Sequence, residues 1–251
     1  MTPSADTEKR DPKEVKEMFA RVAQGYDFVN HAMCLGLDII WRNRLVKTLL
    51  RGRQPGGIYL DLACGSGDVA LSIASADGKS KIIGVDFCPE MLGSAKAKAS
   101  SKGLAKRIEF LEADCSNLPF DGDTFDGAAI SFGFRNFKDR KKCLREIFRV
   151  LKPGGKLAML EVARASRPVE PLQKIFMWNI VPAIAKVCGS NPRDYKYLAK
   201  TTLEYPSTPE VLNMFSDAGF KNASAKTMGF GLVAITHANK ERELKSPVHK
   251  S

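Results

Sequence analysis

Apolar positions along the chain fall into two periods. Short, nearly continuous apolar runs at about 58–63, 81–86, 108–112, 125–131 and 156–162 read as strands buried on both faces. Between them, the stretches at about 67–76, 89–102 and 138–151 carry helix-forming residues. Strand then helix, repeated, is the pattern of a parallel α/β sheet with right-handed crossovers. Ahead of the first strand, Val15, Met18, Phe19 and Val22 recur at helical spacing behind Asp11 and Pro12, an N-cap and a first helical position. Near the end, Asp217-Ala218-Gly219-Phe220 closes a helix on glycine, and runs near 221–228 and 231–237 are expected to pair antiparallel across Met228-Gly229-Phe230-Gly231.

These patterns divide the chain into a polar N-terminus (1–10, expected to be disordered), a helical cap (11–52) and an α/β core (53–165). A helical segment (166–206), a last helix with its hairpin (207–238) and a polar tail (239–251) follow. Within the helical segment, Val169 to Val187 is apolar on nearly all sides, and too short and proline-broken to span a bilayer. It reads as a core helix, as a lid over an apolar substrate, or as a surface that dips into a membrane to receive one.

Composition narrows the classes. At 251 residues and 44% hydrophobic content the chain can bury a substantial core. The start, Met1-Thr2-Pro3-Ser4-Ala5-Asp6, lacks a signal pattern, so a soluble protein of the bacterial cytoplasm is expected. Six cysteines without a CxxC pair suggest reduced thiols, and neither a zinc site nor a disulfide framework. The net charge of +11 invites a nucleic-acid reading, but Lys and Arg are scattered without an RNA-binding motif. Attraction to an anionic membrane surface explains the charge as well, as does a solvated surface with no specific partner.

The candidate chemistry starts at Tyr59-Leu60-Asp61-Leu62-Ala63-Cys64-Gly65-Ser66-Gly67-Asp68, an apolar run passing through a glycine-rich turn into a helix. Gly65 and Gly67 let the backbone bend sharply and a ligand approach it, and the helix start offers free N–H groups. About twenty residues on, Lys81-Ile82-Ile83-Gly84-Val85-Asp86 ends in a carboxylate placed to bind ribose hydroxyls. Gly65-x-Gly67-x-x-Ala70 with Asp86 would equally suit a dinucleotide dehydrogenase. The third strand, Ile108 to Asp114, again ends in an acid, followed by Cys115-Ser116-Asn117-Leu118-Pro119-Phe120, then Thr124 to Ser131, then Arg149-Val150-Leu151-Lys152-Pro153-Gly154-Gly155-Lys156-Leu157.

That ordered succession resembles the class I S-adenosylmethionine-dependent methyltransferases. The resemblance implies a Rossmann-like fold: a seven-stranded, mostly parallel sheet with an antiparallel last strand and helices on both faces. It sharpens in Tyr26-Asp27-Phe28-Val29-Asn30-His31-Ala32-Met33-Cys34-Leu35-Gly36-Leu37-Asp38-Ile39-Ile40-Trp41, which is similar to a signature of the ubiquinone and menaquinone biosynthesis C-methyltransferases. Tyr26, Asp27, Asn30, Met33 and Trp41 are kept, whereas Val29, Cys34 and Asp38 replace methionine, serine and histidine. Arg149 to Glu161, Ser131 to Asn136, Asp194 to Ala199 and Gly231 to Ile235 extend the likeness over roughly 14–238.

The resemblance implies S-adenosylmethionine as methyl donor and a prenylated quinol as acceptor, either demethylmenaquinol or the 2-polyprenyl-6-methoxy-benzoquinol of the ubiquinone route. Strand-end logic puts every motif at the carboxyl ends of the strands. The backbone from Ala63 to Gly67 approaches the methionine part, Asp86 the ribose, Asp114 and Cys115 the adenine, and Ser131 lies beneath the sulfonium. The family's donor positions match Ser66, Asp86, Asp114, Cys115 and Ser131, while Asp61 is expected to order the glycine loop. A quinol ring carbon becomes nucleophilic when its neighbouring hydroxyl loses a proton, so Arg135, Asn136 and Tyr26 are the catalytic candidates. For Arg135 the alternative is a salt bridge to a nearby acid; for Tyr26 it is a packed core position. His31 is a further candidate base. No metal is needed, and the sheet edge with the apolar segment leaves room for a homodimer.

Overall fold

The computed structural model describes residues 12–22, 26–165, 169–187 and 192–242. The N-terminal residues expected to be disordered lie outside them. A seven-stranded sheet runs in the order β3-β2-β1-β4-β5-β7-β6. Its strands are β1 (Ile58–Leu62), β2 (Lys81–Asp86), β3 (Ile108–Glu112), β4 (Phe125–Ser131), β5 (Leu151–Val162), β6 (Lys221–Met228) and β7 (Val233–Asn239). All neighbours from β3 to β5 are parallel; β7 runs antiparallel to both β5 and β6. The last strand enters between β5 and β6 because its hairpin turns at Gly229, Phe230 and Gly231, all with positive φ. β5 begins five residues earlier than the apolar run suggests, since Leu151 pairs with Phe125 before a bulge resets the register at Gly127–Lys156.

Helices α1 (Pro12–Val22), α2 (Tyr26–Met33) and α3 (Leu37–Leu50) precede the sheet. The expected cap boundary at residue 52 is corrected by α3, whose Leu45, Val46 and Leu49 are buried in one cluster with Tyr59 and Met228. It belongs to the helical layer of the sandwich. Gly127 of β4 leaves the space that Leu49 fills: a Cβ there would lie 2.9 Å from Leu49 Cδ1. Helices α4 (Asp68–Ala76), α5 (Pro89–Ser101) and α6 (Arg140–Val150) cross over between parallel strands. Asp139 caps α6 by accepting the Lys142 N–H at 2.8 Å.

The apolar segment forms α7 (Glu170–Ile175), a π-helical turn (Phe176–Ile180) and α8 (Val181–Val187). Pro182 has no N–H to donate, and the Val181 N–H reaches back five residues to the Phe176 carbonyl. One side of this helix is buried: Met177, Val181 and Ala185 pack with Val29 of α2 and with Tyr195 and Ala199 of α9 (Pro192–Leu203). Its other side exposes Leu172, Ile175, Trp178 and Ile180, so neither sequence reading describes the whole segment. Helix α10 (Thr208–Asp217) starts with a capping box between Ser207 and Glu210. The expected tail boundary at residue 239 also moves: Asn239 ends β7, and the Lys240 ammonium bonds Asp123 at 2.7 Å and the Phe148 carbonyl at 3.0 Å. Among the described residues no helix is long and apolar enough to cross a membrane.

Candidate active site

A cavity of about 840 Å³ opens at the carboxyl ends of β1, β2, β3 and β4, within the size range of small-molecule sites. Its geometry begins with the loop after β1. Ala63, Gly65 and Gly67 have φ of 49°, 53° and 84°, left-handed values that glycine tolerates and alanine resists. Two carboxyl groups hold this loop. Asp86 accepts the Gly65 N–H at 2.8 Å and, with its other oxygen, the Cys88 N–H at 3.0 Å. Asp61 accepts the Ala70 N–H at 2.9 Å inside the first turn of α4. Both are buried. Burial raises the pKa of Asp86, opposed by the N–H groups it accepts, and pushes Asp61 to about 8.

The walls gather most of the sequence-predicted residues. Ala63, Gly65, Asp86, Asp114, Cys115, Ser131 and Asn136 line the cavity. Asp114 accepts the Ser116 N–H at 2.7 Å and the Ser116 hydroxyl at 2.8 Å. Ser131 Oγ is buried without a hydrogen-bond partner, an open polar valence on the cavity wall. Gly133 is required beside it, because a Cβ there would meet Ala63 Cβ at 2.6 Å.

Four expectations change. Ser66 lies outside the cavity walls: its hydroxyl donates to Asp27 at 2.6 Å and accepts from Lys98 at 2.9 Å. Gly67 is also set back, packed where a Cβ would meet Ala95 and Phe110 at 3.0 Å. The Arg135 guanidinium does not face the cavity either. It is buried, bonds Glu161 at 2.8 Å and the Phe132 carbonyl, while its backbone N–H donates to Glu161 at 3.1 Å. The salt-bridge alternative is the one found. The fourth is the motif from Arg149 to Lys156, which precedes β5 and therefore lies at the amino ends of the strands, opposite the cavity. Tyr26 begins α2, but its side chain lies outside the described residues.

Sequence reading missed the roof. Val15, Lys16 and Phe19 of α1 close over the donor end, Phe19 meeting Phe87 edge-on with ring centroids 6.3 Å apart. The apolar stripe of α1 signalled packing without saying onto what. It also missed Tyr197 of α9, whose hydroxyl reaches 3.4 Å from Asn136 Oδ1. Beside the loop, α2 and α3 carry a chain of charges. Lys98 bridges Asp27 and Asp68, and Arg42 joins Asp68 to buried Asp38. His31 Nδ1 lies 2.7 Å from that same Asp38 carboxylate. Burial pushes Asp27 up, yet Lys98 and Ser66 hold its pKa below the ordinary value.

The profile of the ubiE/COQ5 methyltransferase family matches residues 6–240. The chain belongs to this family. Members similar to it include a demethylmenaquinone methyltransferase of Lactobacillus johnsonii, 37% identical over 91% of this chain and 93% of that one. A ubiquinone/menaquinone biosynthesis C-methyltransferase of a Geobacter species is also 37% identical, over 89% and 94%. Among solved structures, a SAM-dependent methyltransferase from Aquifex aeolicus superposes with a TM-score of 0.58 at 23% identity, covering 78% of this chain and 89% of that one. The [4+2]-cyclase SpnF does so at 0.60 and 20%, covering 80% and 81%. These two likenesses show the class I fold alone, since a fold hosts more than one chemistry.

Two outcomes follow for this family member. Arg135→Ala leaves Glu161 buried without its partner and is expected to cost about 3–5 kcal/mol by urea unfolding, with Arg135→Met/Glu161→Leu costing less than Arg135→Met. A surface-like effect below about 1 kcal/mol would contradict the structural role. Asp61 carries the second. The unfolded carboxyl ionises near pH 3.8, whereas the folded one keeps its proton up to about 8, so the stability linked to Asp61 is lost as pH rises through that window. The unfolding free energy of the parent relative to Asp61→Asn should therefore fall between those values and level off above; a flat difference would refute it.

Proposed function

We propose that this chain transfers a methyl group from S-adenosylmethionine to a ring carbon of a prenylated quinol, demethylmenaquinol or 2-polyprenyl-6-methoxy-benzoquinol. The observation that carries the reading is the cavity at the strand ends in a chain whose relatives are named for demethylmenaquinone methylation and for C-methylation in ubiquinone and menaquinone biosynthesis. Its residues fit the donor. Asp86 keeps lone pairs beyond those taken by Gly65 and Cys88, enough to accept ribose hydroxyls. Asp114, Ser116 and the buried Cys115 offer a polar edge and a packed face for a purine, and the unpartnered Ser131 hydroxyl on the same wall supports its role beneath the sulfonium. When bound, the donor supplies a methyl group on a sulfonium, displaced in line by the acceptor carbon.

The protein's part is placement and proton handling. Arg135 and Glu161 hold the backbone from Phe132 to Asn136, so Asn136 keeps its place on the wall. Asn136 and Tyr197 then offer polar contacts to a ring hydroxyl as it becomes phenolate, and Tyr26 and His31, the latter 2.7 Å from Asp38, remain the candidate acceptors of its proton. The roof of α1 and Phe87 excludes water from the donor end.

The acceptor's apolar tail accounts for the exposed side of α7 and the turn after it, where Leu172, Ile175, Trp178 and Ile180 face outward, and for Leu37, Ile39 and Ile40 at the start of α3. We read these as the surface by which a cytoplasmic enzyme touches the anionic inner face of a membrane to take up its quinol. A second copy of the chain is the other candidate cover.

Calorimetry with S-adenosylmethionine should give saturable binding that Asp86→Ala weakens by about tenfold or more, with no NADH signal. Under reducing conditions the protein should then methylate one of the two quinols; binding without turnover of either would refute the acceptor, and no binding would refute the donor. Trp178→Ser should reduce co-sedimentation with phosphatidylglycerol vesicles while leaving donor affinity unchanged. Equal sedimentation of both proteins, or a dimer by light scattering that Trp178→Ser dissolves, would replace the membrane with a homodimer.

A further inference from the structure

The motif from Arg149 to Lys156 has no role at the donor cavity, yet it builds a second cavity. This one, of about 770 Å³, lies at the amino ends of β1, β4 and β5, at the opposite end of the sheet. Tyr59 on its wall and Ala63 on the wall of the first cavity are four residue steps apart along β1, about 13 Å of strand. Its walls are chiefly polar.

Its charge is one-sided. Arg51, Arg53, Lys152, Lys156 and Arg242 line it, and among the described residues Asp126 is the one carboxylate on its walls. Asp126 is engaged already, accepting from Lys152 and from the Ile58 N–H, both at 2.9 Å. Arg53 and Lys156 are held by carbonyls: Arg53 donates to Gly154 at 2.6 Å, and Lys156 to Thr48 and Arg51 at 3.0 and 2.9 Å. Gly154, with φ of 82°, lets the Arg242 side chain lie against its backbone; a Cβ would meet Arg242 Nε at 2.7 Å.

Cations so gathered repel one another. Burial, then Arg53 and Arg51, lower the pKa of Lys156; burial, then Lys156 and Arg51, lower that of His237 on the same wall. Lys156 caps the end of α3 and Arg53 binds the Gly154 carbonyl, but among the described residues no carboxylate on the walls besides Asp126 offsets the repulsion. A further group points inward: Tyr59 is fully buried, and its hydroxyl has no hydrogen-bond partner. A buried donor left unmade costs free energy, and native structures seldom keep one without a use.

We infer that this cavity is a binding site for a compact, soluble polyanion of the phosphate class, such as pyrophosphate or the phosphates of a nucleotide. Arg51 and Arg242 are the guanidiniums free to clamp it in two-pronged fashion, Lys156 adds a fixed charge, and Tyr59 donates from the inner wall. The scarcity of apolar surface favours a soluble phosphate over a lipid headgroup, which would bring its tails along.

The test uses the full chain and inorganic pyrophosphate. Calorimetry at low ionic strength should show saturable binding, weakened by salt, and weakened about tenfold or more by Arg242→Gln and by Arg51→Gln, both exposed positions. Tyr59→Phe, which keeps the buried ring, should weaken it about fivefold. The His237 imidazole, followed by NMR, should titrate at higher pH when pyrophosphate is bound. S-adenosylmethionine affinity should be the same in all three variants. Absence of saturable binding, binding that none of the variants alters, or a loss confined to phosphatidylglycerol vesicles with no effect on pyrophosphate would each overturn the proposal.

Discussion

Asp61 and Asp86 stand at the ends of adjacent parallel strands and give their oxygens to backbone N–H groups on and beside the glycine loop. Without those acceptors the loop would have to carry its left-handed residues unsupported, and the cavity would lose its floor. The arrangement costs the fold two desolvated carboxyl groups, whose raised pKa values record that cost. Ala63 and Phe132, both with positive φ, keep backbone strain beside the same cavity.

The second buried pair, Arg135 with Glu161, does for the loop after β4 what the two aspartates do for the loop after β1. It fixes backbone rather than touching the cavity, so residues that a sequence reader would nominate for chemistry turn out to set the position of those that line the site. Ser66 is the same kind of case. Its hydroxyl ties the glycine loop to Asp27 and Lys98, coupling α2 to the donor end.

The two ends of the sheet gather side chains of different chemistry. Carboxyl ends converge on a cavity with acidic and hydroxyl groups suited to a nucleoside; amino ends converge on one ringed by guanidinium and ammonium groups. The charge of the chain, scattered in sequence, is therefore partly gathered in space.

What the sequence determined by itself was local and periodic. Apolar runs and helix formers located the strands and the crossover helices within a few residues, because burial on both faces of a parallel sheet leaves a continuous apolar signature. The order of acidic strand ends and glycines placed Asp86, Asp114 and Ser131 on one cavity, because the carboxyl ends of such strands must converge. Tertiary structure alone decided the direction of side chains. Whether Arg135 meets a ligand or Glu161, and whether Ser66 faces the cavity or Asp27, depends on partners 26 and 39 residues away, a separation no local pattern encodes. The same holds for α1, whose stripe could announce an apolar face but not that Phe87 would be waiting beneath it, and for five cations from three stretches of chain that share a wall only once the sheet has closed.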